Sequence, residues 1–190
     1  PDGLGYEDNN FQFFNYIPLS RLTLGHFIAI SFTPLYFVGY YHLYLIFKEK
    51  NPVYAWVLLI LGIIAFTIGG MWISSRAQLG YLVHLVNDYP NNLALKSLIQ
   101  VYNDHAEILV IFLRLWIAGI SIVYFIPIIQ RRTIYPRWMA FVNPLFLLLF
   151  ILLIYQLSPS VGYLIGPIAM NVAHFILFST SLIIIKYSPS

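Results

Sequence analysis

The sequence predicts an all-α polytopic transmembrane helical bundle with five spans, and three observations support this fold class. Of the 190 residues, 60% are hydrophobic and 9% are charged, and the mean hydropathy of +0.79 exceeds that of an ordinary soluble domain. One helical crossing takes about 20 mostly apolar residues, and five such stretches occur. Lys and Arg fall on alternate connections between them. Because the chain begins with Pro1, a sixth helix before it is compatible with this pattern.

The first two predicted spans are separated by a short charged connection. Residues 1–20 are acidic and aromatic, contain no apolar run of the signal-peptide kind, and are expected to form an extracytoplasmic segment. The first span covers residues 22–47 and is followed by the sequence KEKNP. The second span starts behind Pro52 and is apolar as far as Ile73. Its helical pattern continues beyond that point to the breaker DYP.

A helical hairpin outside the bilayer, over residues 75–105, is predicted between the second and third spans. Asn91 and Asn92 are good capping residues for the start of its second arm. No proline follows until Pro127, so the second arm is expected to continue as the third span.

The last two spans are predicted over residues 138–157 and 161–185. A tight turn with the sequence SPS separates them. The chain shows no repeat at a fixed period and no low-complexity tract. Residues 1–190 are therefore predicted to form a single transmembrane helical domain.

The basic residues indicate the orientation of the chain. Cytoplasmic connections are enriched in Lys and Arg, and the alternate connections that carry such residues contain Lys48, Lys50, Arg131, Arg132, Arg137 and Lys186. The opposite connections hold five of the seven acids. We therefore expect the amino terminus to lie outside the cytoplasm and the carboxyl terminus inside it.

The composition excludes several classes of function. The sequence has no cysteine, which excludes disulfides, thiolate metal sites and cysteine nucleophiles. Its five histidines include no i, i+4 pair on one helix, so neither a metal site nor a cofactor is predicted. The cations lie at predicted membrane edges, so nucleic acid is not an expected partner.

Small residues line one stripe of the second span. Ala55, Gly62, Gly69 and Arg76 are spaced seven residues apart, and small residues on a common face allow helices to approach closely in lipid. We therefore expect the second span to lie centrally in the bundle.

The third span carries charges within apolar sequence. Asp104, Glu107, Ile111 and Arg114 share one stripe. A charge at bilayer depth costs on the order of 3 kcal/mol, so Arg114 is predicted to face the bundle interior and to reach toward Glu107, about 10 Å away along the axis. Two alternatives remain open. The acids are also compatible with a capping box, and the arginine with a purely structural ion pair or a bond to a carbonyl.

Polar residues on the other predicted spans complete the candidate site. Asn171 and His174 lie one turn apart on the fifth span, beside the helix breaker Pro167. His26 and Tyr40 share a stripe of the first span. The predicted depths of the polar set indicate a pocket in the outer half of the bundle. We assign catalysis to Glu107 and His174 and ligand binding to Arg114, Asn171, His26, Tyr40, Asn143 and Arg76.

Three segments, RLTLGHFIAISFTPLYFVGYYHLYL, TIYPRWMAFVNP and GYLIGPIAMNVAHFILFSTSL, resemble a family of bacterial polytopic membrane proteins of unknown function. The resemblance covers most of residues 21–185 and implies the fold and a bacterial inner (plasma) membrane, but no chemistry. It also implies a further helix before the first span. The spacing of Asn171 and His174 is similar to that in sterol-isomerase-like membrane proteins, whose paired early His and Glu are absent here.

Three hypotheses for the function follow from these residues. In the first, the pocket binds or acts on an apolar or amphipathic lipid-like molecule. In the second, the chain is a transporter or permease subunit, in which helix-breaking prolines and the same polar residues form a relay. In the third, it is a structural or assembly partner of another membrane protein, and Arg114 meets an acid of that partner. Membrane lipids and a homo- or hetero-oligomer are the expected partners.

Overall fold

The computed structural model describes residues 11–187 and contains helices but no strand in that range. The helices are α1 Gln12–Asn15, α2 Leu19–Phe47, α3 Pro52–Asp88, α4 Leu93–Ile129, α5 Pro144–Leu157, α6 Pro159–Ile165 and α7 Ala169–Tyr187, with short 3-10 helices at Arg137–Phe141 and Gly166–Ile168. Within this range α2, α3, α4 and α7 are long and apolar enough to cross a membrane, and α5 is a shorter apolar helix. The predicted all-α class with several membrane-spanning helices is confirmed at this level.

Helix α3 ends at Asp88 and α4 begins at Leu93, within residues 75–105 of the predicted hairpin. The location of this hairpin outside the bilayer stays a prediction. The Asn92 side chain accepts a hydrogen bond from the Leu95 N–H at 3.2 Å, as expected of a capping residue. Because α4 is continuous from Leu93, Asp104 lies well inside the helix. The capping-box alternative for Asp104 and Glu107 is therefore wrong.

The fourth predicted span begins later than expected, at Pro144 rather than at residue 138. The Asn143 Oδ1 accepts the Phe146 N–H at 3.2 Å, and proline at the first helical position has no N–H to leave unsatisfied. Both features define a helix start at this point. At 14 residues, α5 is about 21 Å long, shorter than the roughly 30 Å hydrocarbon core.

The last predicted span is divided into α6 and α7. The 3-10 helix Gly166–Ile168 joins them, at the position where Pro167 was expected to interrupt the helix. A proline has no N–H for the regular α-helical ladder, so a local change of helix type is the expected response.

The chain folds as two compact units. Unit 1 combines the amino-terminal part up to Pro34 with Phe66–Arg114, and unit 2 combines Leu35–Ala65 with the part from Leu115 onward. Each of the three longest helices therefore contributes to both units, and each unit has its own packing.

In unit 1, α1 packs against the hairpin of α3 and α4. The apolar cluster comprises the buried residues Phe11, Phe14, Leu79, Val83, Val86 and Ile99. Two polar contacts lie beside this apolar cluster. The Asn87 side chain donates to Asn15 at 2.8 Å, and His84 Nε2 lies 3.0 Å from the Ile17 carbonyl oxygen. Residues 1–10 of the predicted extracytoplasmic segment lie outside the described residues.

In unit 2, α2 and α7 are joined by side-chain hydrogen bonds. Contacts between α2 and α7 occur in the same order along both helices, so these two run in parallel. The ring of Tyr40 lies so close to Gly62 that a Cβ there would come within 2.2 Å of it. The predicted close approach at the small-residue stripe is confirmed at Gly62. Helix α5 packs against both α6 and α7.

Candidate functional site

Unit 2 holds a row of polar side chains between α2 and α7, which we call the polar row: Tyr36, Tyr40, Asn171 and His174. The Tyr36 hydroxyl donates a hydrogen bond to Oδ1 of Asn171. One turn further along, the Tyr40 hydroxyl lies 2.9 Å from His174 Nε2. Each helix contributes two polar residues about one turn apart, so the two pairs follow one another along the shared face.

The inner pair of the polar row is buried and hydrogen-bonded at both ends. Tyr40 and His174 are 0% and 1% exposed. His174 Nδ1 lies 2.9 Å from the Met170 carbonyl oxygen, which can only accept, so Nδ1 carries the proton. In the neutral ring Nε2 then accepts from the Tyr40 hydroxyl. Buried polar groups satisfied in this way fix the side chains in one arrangement.

The outer pair of the polar row reaches the surface. Asn171 is exposed and Tyr36 is half-buried. The hydrogen bond between them uses the side-chain carbonyl oxygen of Asn171. The amide N–H groups of the Asn171 side chain have no hydrogen-bond partner among the residues that the structure describes. The edge of the Tyr36 ring also contacts the His174 ring, with centroids 5.4 Å apart. The outer pair is thus the accessible end of a buried polar network.

Glycines provide the space for the aromatic rings of the polar row. A Cβ at Gly39 would come within 2.4 Å of the Phe178 ring, and one at Gly62 would overlap the Tyr40 ring. Phe178 in turn lies against both Tyr40 and His174, with centroids 5.6 and 5.7 Å apart. Substitution of either glycine would displace a ring that positions His174.

A second polar cluster of unit 2 comprises His42, Ser181, Tyr135 and Thr133. His42 Nε2 lies 2.8 Å from Ser181 Oγ, and the Tyr135 hydroxyl contacts the same oxygen. Thr133 Oγ1 accepts the Tyr135 N–H at 3.2 Å. Burial raises the pKa of Tyr135, which keeps its hydroxyl protonated. Tyr135 is 4% exposed, and its contacts with Ser181 and Thr133 hold it in the interior.

Among the predicted site residues of unit 1, Arg76 has the contacts that the structure defines best. Its Nη1 donates to Asn103 Oδ1 at 3.4 Å, its guanidinium lies 5.4 Å from the centre of the Phe14 ring, and it is within electrostatic reach of Glu107. His26 is half-buried, and its Nδ1 has no hydrogen-bond partner among the described residues.

Arg114 is exposed, so the predicted inward orientation of its side chain is wrong for the single chain. The predicted stripe is real, since Asp104, Glu107 and Ile111 are exposed with it. It faces outward because the opposite side of α4 carries the apolar residues Ala106, Ile117 and Ile120, which are buried in its place. Hydrophobic burial decides which face of a helix turns inward.

Asn143, a predicted ligand-binding residue, is fully buried and serves as a helix cap. Its Oδ1 accepts the Phe146 N–H, and its Nδ2 donates to the Ala140 carbonyl oxygen at 2.7 Å. These two bonds leave little capacity for a ligand. Its assignment to ligand binding stays a prediction without geometric support.

The structure brings together part of the predicted set. Tyr40, Asn171 and His174 meet in unit 2, whereas Glu107 and Arg114 belong to unit 1. Tyr36 is not among the predicted site residues. Tyr36 and Tyr40 are four residues apart and Asn171 and His174 are three apart, so each pair spans about one helical turn. This similar spacing is the signal that could have predicted the two pairs.

Comparison with known proteins gives one match. A family model described as "Family of unknown function (DUF6796)" matches residues 3–188, nearly the whole chain. No curated protein and no solved structure matches the chain. The match agrees with the resemblance seen in the sequence, to a family without an assigned activity.

Proposed function

The chain belongs to the DUF6796 family, whose function is unknown, and we propose that it binds an amphipathic, lipid-like small molecule at the polar row of unit 2. The observation that carries this proposal is the exposed Asn171 on the apolar, membrane-length helix α7. An amide without a partner in hydrocarbon is costly. A ligand carbonyl or hydroxyl that accepts from the Asn171 N–H groups removes this cost.

The surroundings of Asn171 favour a ligand with an apolar tail. Ile168 and Phe175 precede and follow it by about one turn and are exposed, at 46% and 72%. They therefore continue the same side of the helix as an apolar stripe. A molecule with one polar group and an acyl or isoprenoid tail matches this pattern, with its polar group at Asn171 and its tail along Phe175.

The proposal concerns binding rather than catalysis. Both ring nitrogens of His174 are hydrogen-bonded, one to Tyr40 and the other to the Met170 carbonyl oxygen. In this arrangement His174 helps to position the outer pair and has no ring nitrogen available for a substrate. Catalytic roles for Glu107 and His174 stay predictions. The transporter hypothesis likewise stays a prediction.

We further propose that the chain crosses a bacterial plasma membrane five times, with its amino terminus outside. The parallel course of α2 and α7 supports five crossings, because α7 could not run parallel to α2 unless α5 returned the chain to the starting side. The basic residues that follow α2 and α4, together with Lys186 in the last turn of α7, support a cytoplasmic location for those helix ends. The family resemblance supports the bacterial membrane.

The test is an amide deletion with a matched control. Asn171→Leu removes the exposed amide of the polar row, and Gln156→Leu removes an exposed amide from α5 of the same unit. Each variant is purified in lipid nanodiscs made from a total bacterial polar lipid extract, and the retained lipids are quantified by mass spectrometry. We expect at least one lipid species to fall several-fold for Asn171→Leu alone. Identical lipid profiles for both variants and the parent chain would rule the proposal out.

An assembly role is the second candidate, and the exposure of Arg114 favours it. A guanidinium on an apolar helix face in lipid is costly, and a carboxylate on a partner helix offsets that cost. A particle mass in mild detergent above that of a single chain, reduced by Arg114→Leu and unchanged by Asn171→Leu, distinguishes this role from ligand binding.

A further inference from the structure

The connection after α4 has an unusual backbone. The Arg131 N–H donates to the Ile128 carbonyl oxygen at 3.0 Å, and the Arg132 N–H donates to the Pro127 carbonyl oxygen at 2.8 Å. These two bonds form a Schellman motif, in which the residue at the position of Arg131 adopts a left-handed conformation. Arg131 has a φ of 58°, the one positive φ of a non-glycine residue among those described.

Glycine is the usual residue at this position, because a Cβ is unfavourable in the left-handed region. Arg131 therefore costs stability relative to glycine. Membrane orientation requires only that positive charge be present somewhere on the connection, and neighbouring positions could carry it without this cost. A non-glycine residue that persists in this conformation indicates a role for the side chain at that point.

The connection is held rigidly in place. Thr133 and Tyr135 are buried at 6% and 4% exposure, and the Tyr135 hydroxyl contacts Ser181 of α7. The residues between and around these anchors, Arg131, Arg132 and Ile134, are exposed. Buried anchors alternate with exposed side chains, so the two guanidinium groups are presented outward from a fixed backbone.

The charge of this part of the chain is unbalanced. Unit 2 contains one acid, Glu49. Its cations are all exposed and comprise Lys48, Lys50, Arg131, Arg132, Arg137 and Lys186. No acid follows Glu107 anywhere in the sequence. The arginines of the connection therefore have no carboxylate of unit 2 beyond Glu49 to pair with, and they are available to an external anion.

The flanking residues indicate what kind of anion fits. Ile134 and Trp138 are exposed at 40% and 52% next to the arginines. Tryptophan with an aliphatic neighbour is typical of the membrane interface, and the planar donor fork of arginine matches phosphate oxygens in pairs. A phosphate group and an adjoining apolar chain are both present in an anionic phospholipid, whereas inorganic phosphate has only the first of these.

We propose that Arg131, Arg132 and Arg137 form a binding site for the headgroup of an anionic phospholipid in the adjacent leaflet. The left-handed cap sets the direction of the Arg131 side chain, the buried Thr133 and Tyr135 fix the connection, and Trp138 lies at the glycerol level. This site is separate from the polar row of unit 2 and does not depend on the ligand proposed there.

The test exploits the backbone of Arg131. Arg131→Gly removes the guanidinium and relieves the unfavourable conformation, so a folding defect cannot be the cause of lost binding. The midpoint of thermal unfolding is measured in nanodiscs of phosphatidylcholine alone and of phosphatidylcholine with phosphatidylglycerol. For the parent chain we expect a midpoint several degrees higher with phosphatidylglycerol, and a smaller difference at high salt.

For Arg131→Gly we expect a higher midpoint than the parent in phosphatidylcholine and less than half of the rise with phosphatidylglycerol. The control Arg21→Gln removes an exposed cation of unit 1 and should keep the full rise. A full rise in Arg131→Gly, or no rise in the parent chain, overturns the proposal. An equal rise on adding inorganic phosphate to phosphatidylcholine nanodiscs assigns the site to free phosphate and overturns the lipid assignment.

Discussion

Single residues of unit 2 show how differently two buried tyrosines can be accommodated. Tyr40 and Tyr124 are both 0% exposed. The Tyr40 hydroxyl is hydrogen-bonded to His174, whereas that of Tyr124 has no partner among the described residues. A buried hydroxyl without a partner costs about 1–3 kcal/mol. The same functional group is therefore expected to stabilise the fold at one position and destabilise it at the other.

We expect Tyr124→Phe to raise the free energy of unfolding by about 1 kcal/mol, because it removes an unsatisfied polar atom and keeps the ring. Tyr40→Phe should lower it by about 1–3 kcal/mol, because His174 Nε2 loses its donor. Denaturant unfolding in detergent micelles measures both values. A lower free energy of unfolding in Tyr124→Phe would show that the Tyr124 hydroxyl is satisfied, for instance by a buried water.

The outward face of α4 shows what residue spacing can and cannot predict. The i, i+3, i+7 pattern correctly placed Glu107 and Arg114 on one face. It contains no information about which way that face turns, because this depends on competition with Ile117 and Ile120 for burial. Periodicity therefore predicted the stripe, and the orientation required the packing of the whole helix.

At the level of elements, helix starts show how much capping depends on burial. Asn92 caps α4 and Asn143 caps α5 through the same bond, from the N–H three residues ahead. Asn92 is exposed and Asn143 is fully buried. Water can replace the lost bond at the exposed start, but it has no access at the buried one.

Asn143→Ala is accordingly expected to lower the free energy of unfolding by about 2 kcal/mol, at the upper end of cap losses, and Asn92→Ala by about 0.5 kcal/mol. The larger effect arises because the Phe146 N–H and the Ala140 carbonyl both lose their partner in the interior. Thermal unfolding in detergent, followed by circular dichroism, gives both values. Equal losses would argue against a buried cap.

The helices themselves were largely predictable, and their tertiary contacts were not. Apolar length and the Asn-Asn pair predicted α3, α4 and the turn between them to within a few residues. The signal for the start of α5, an asparagine followed by proline, is present in the sequence, but the same asparagine is also compatible with the predicted ligand-binding role. The contact of Tyr135 with Ser181 joins residues 46 positions apart, which no local pattern encodes.

At the level of the whole molecule, the absence of cysteine makes the proposed topology directly testable. Any single cysteine introduced into this chain is its one reactive thiol. The number of crossings depends on α5, whose length of about 21 Å covers only part of the hydrocarbon core. Positions on either side of α5 are therefore the ones to compare.

We expect Ser160→Cys, after α5, to react with a membrane-impermeant maleimide in intact spheroplasts. Glu49→Cys, between α2 and α3, should react only after the membrane is permeabilised, and Asn91→Cys in the hairpin serves as the outside control. All three positions are exposed. If Ser160→Cys instead behaved like Glu49→Cys, α5 would return to the side on which it starts, and the five-span topology would be wrong.

The oxygen of Ser181 lies between His42 and Tyr135. A serine hydroxyl has a single hydrogen, so it can donate to only one of these neighbours and must accept from at least one of them. Two of the possible arrangements form a continuous series of hydrogen bonds. In one arrangement protons point from Tyr135 through the serine to the imidazole, and in the other they point from the imidazole through the serine to the tyrosine oxygen. The heavy atoms have the same positions in both arrangements. A change of tautomer at His42 therefore reverses the donor and acceptor roles in both hydrogen bonds without any movement of a helix.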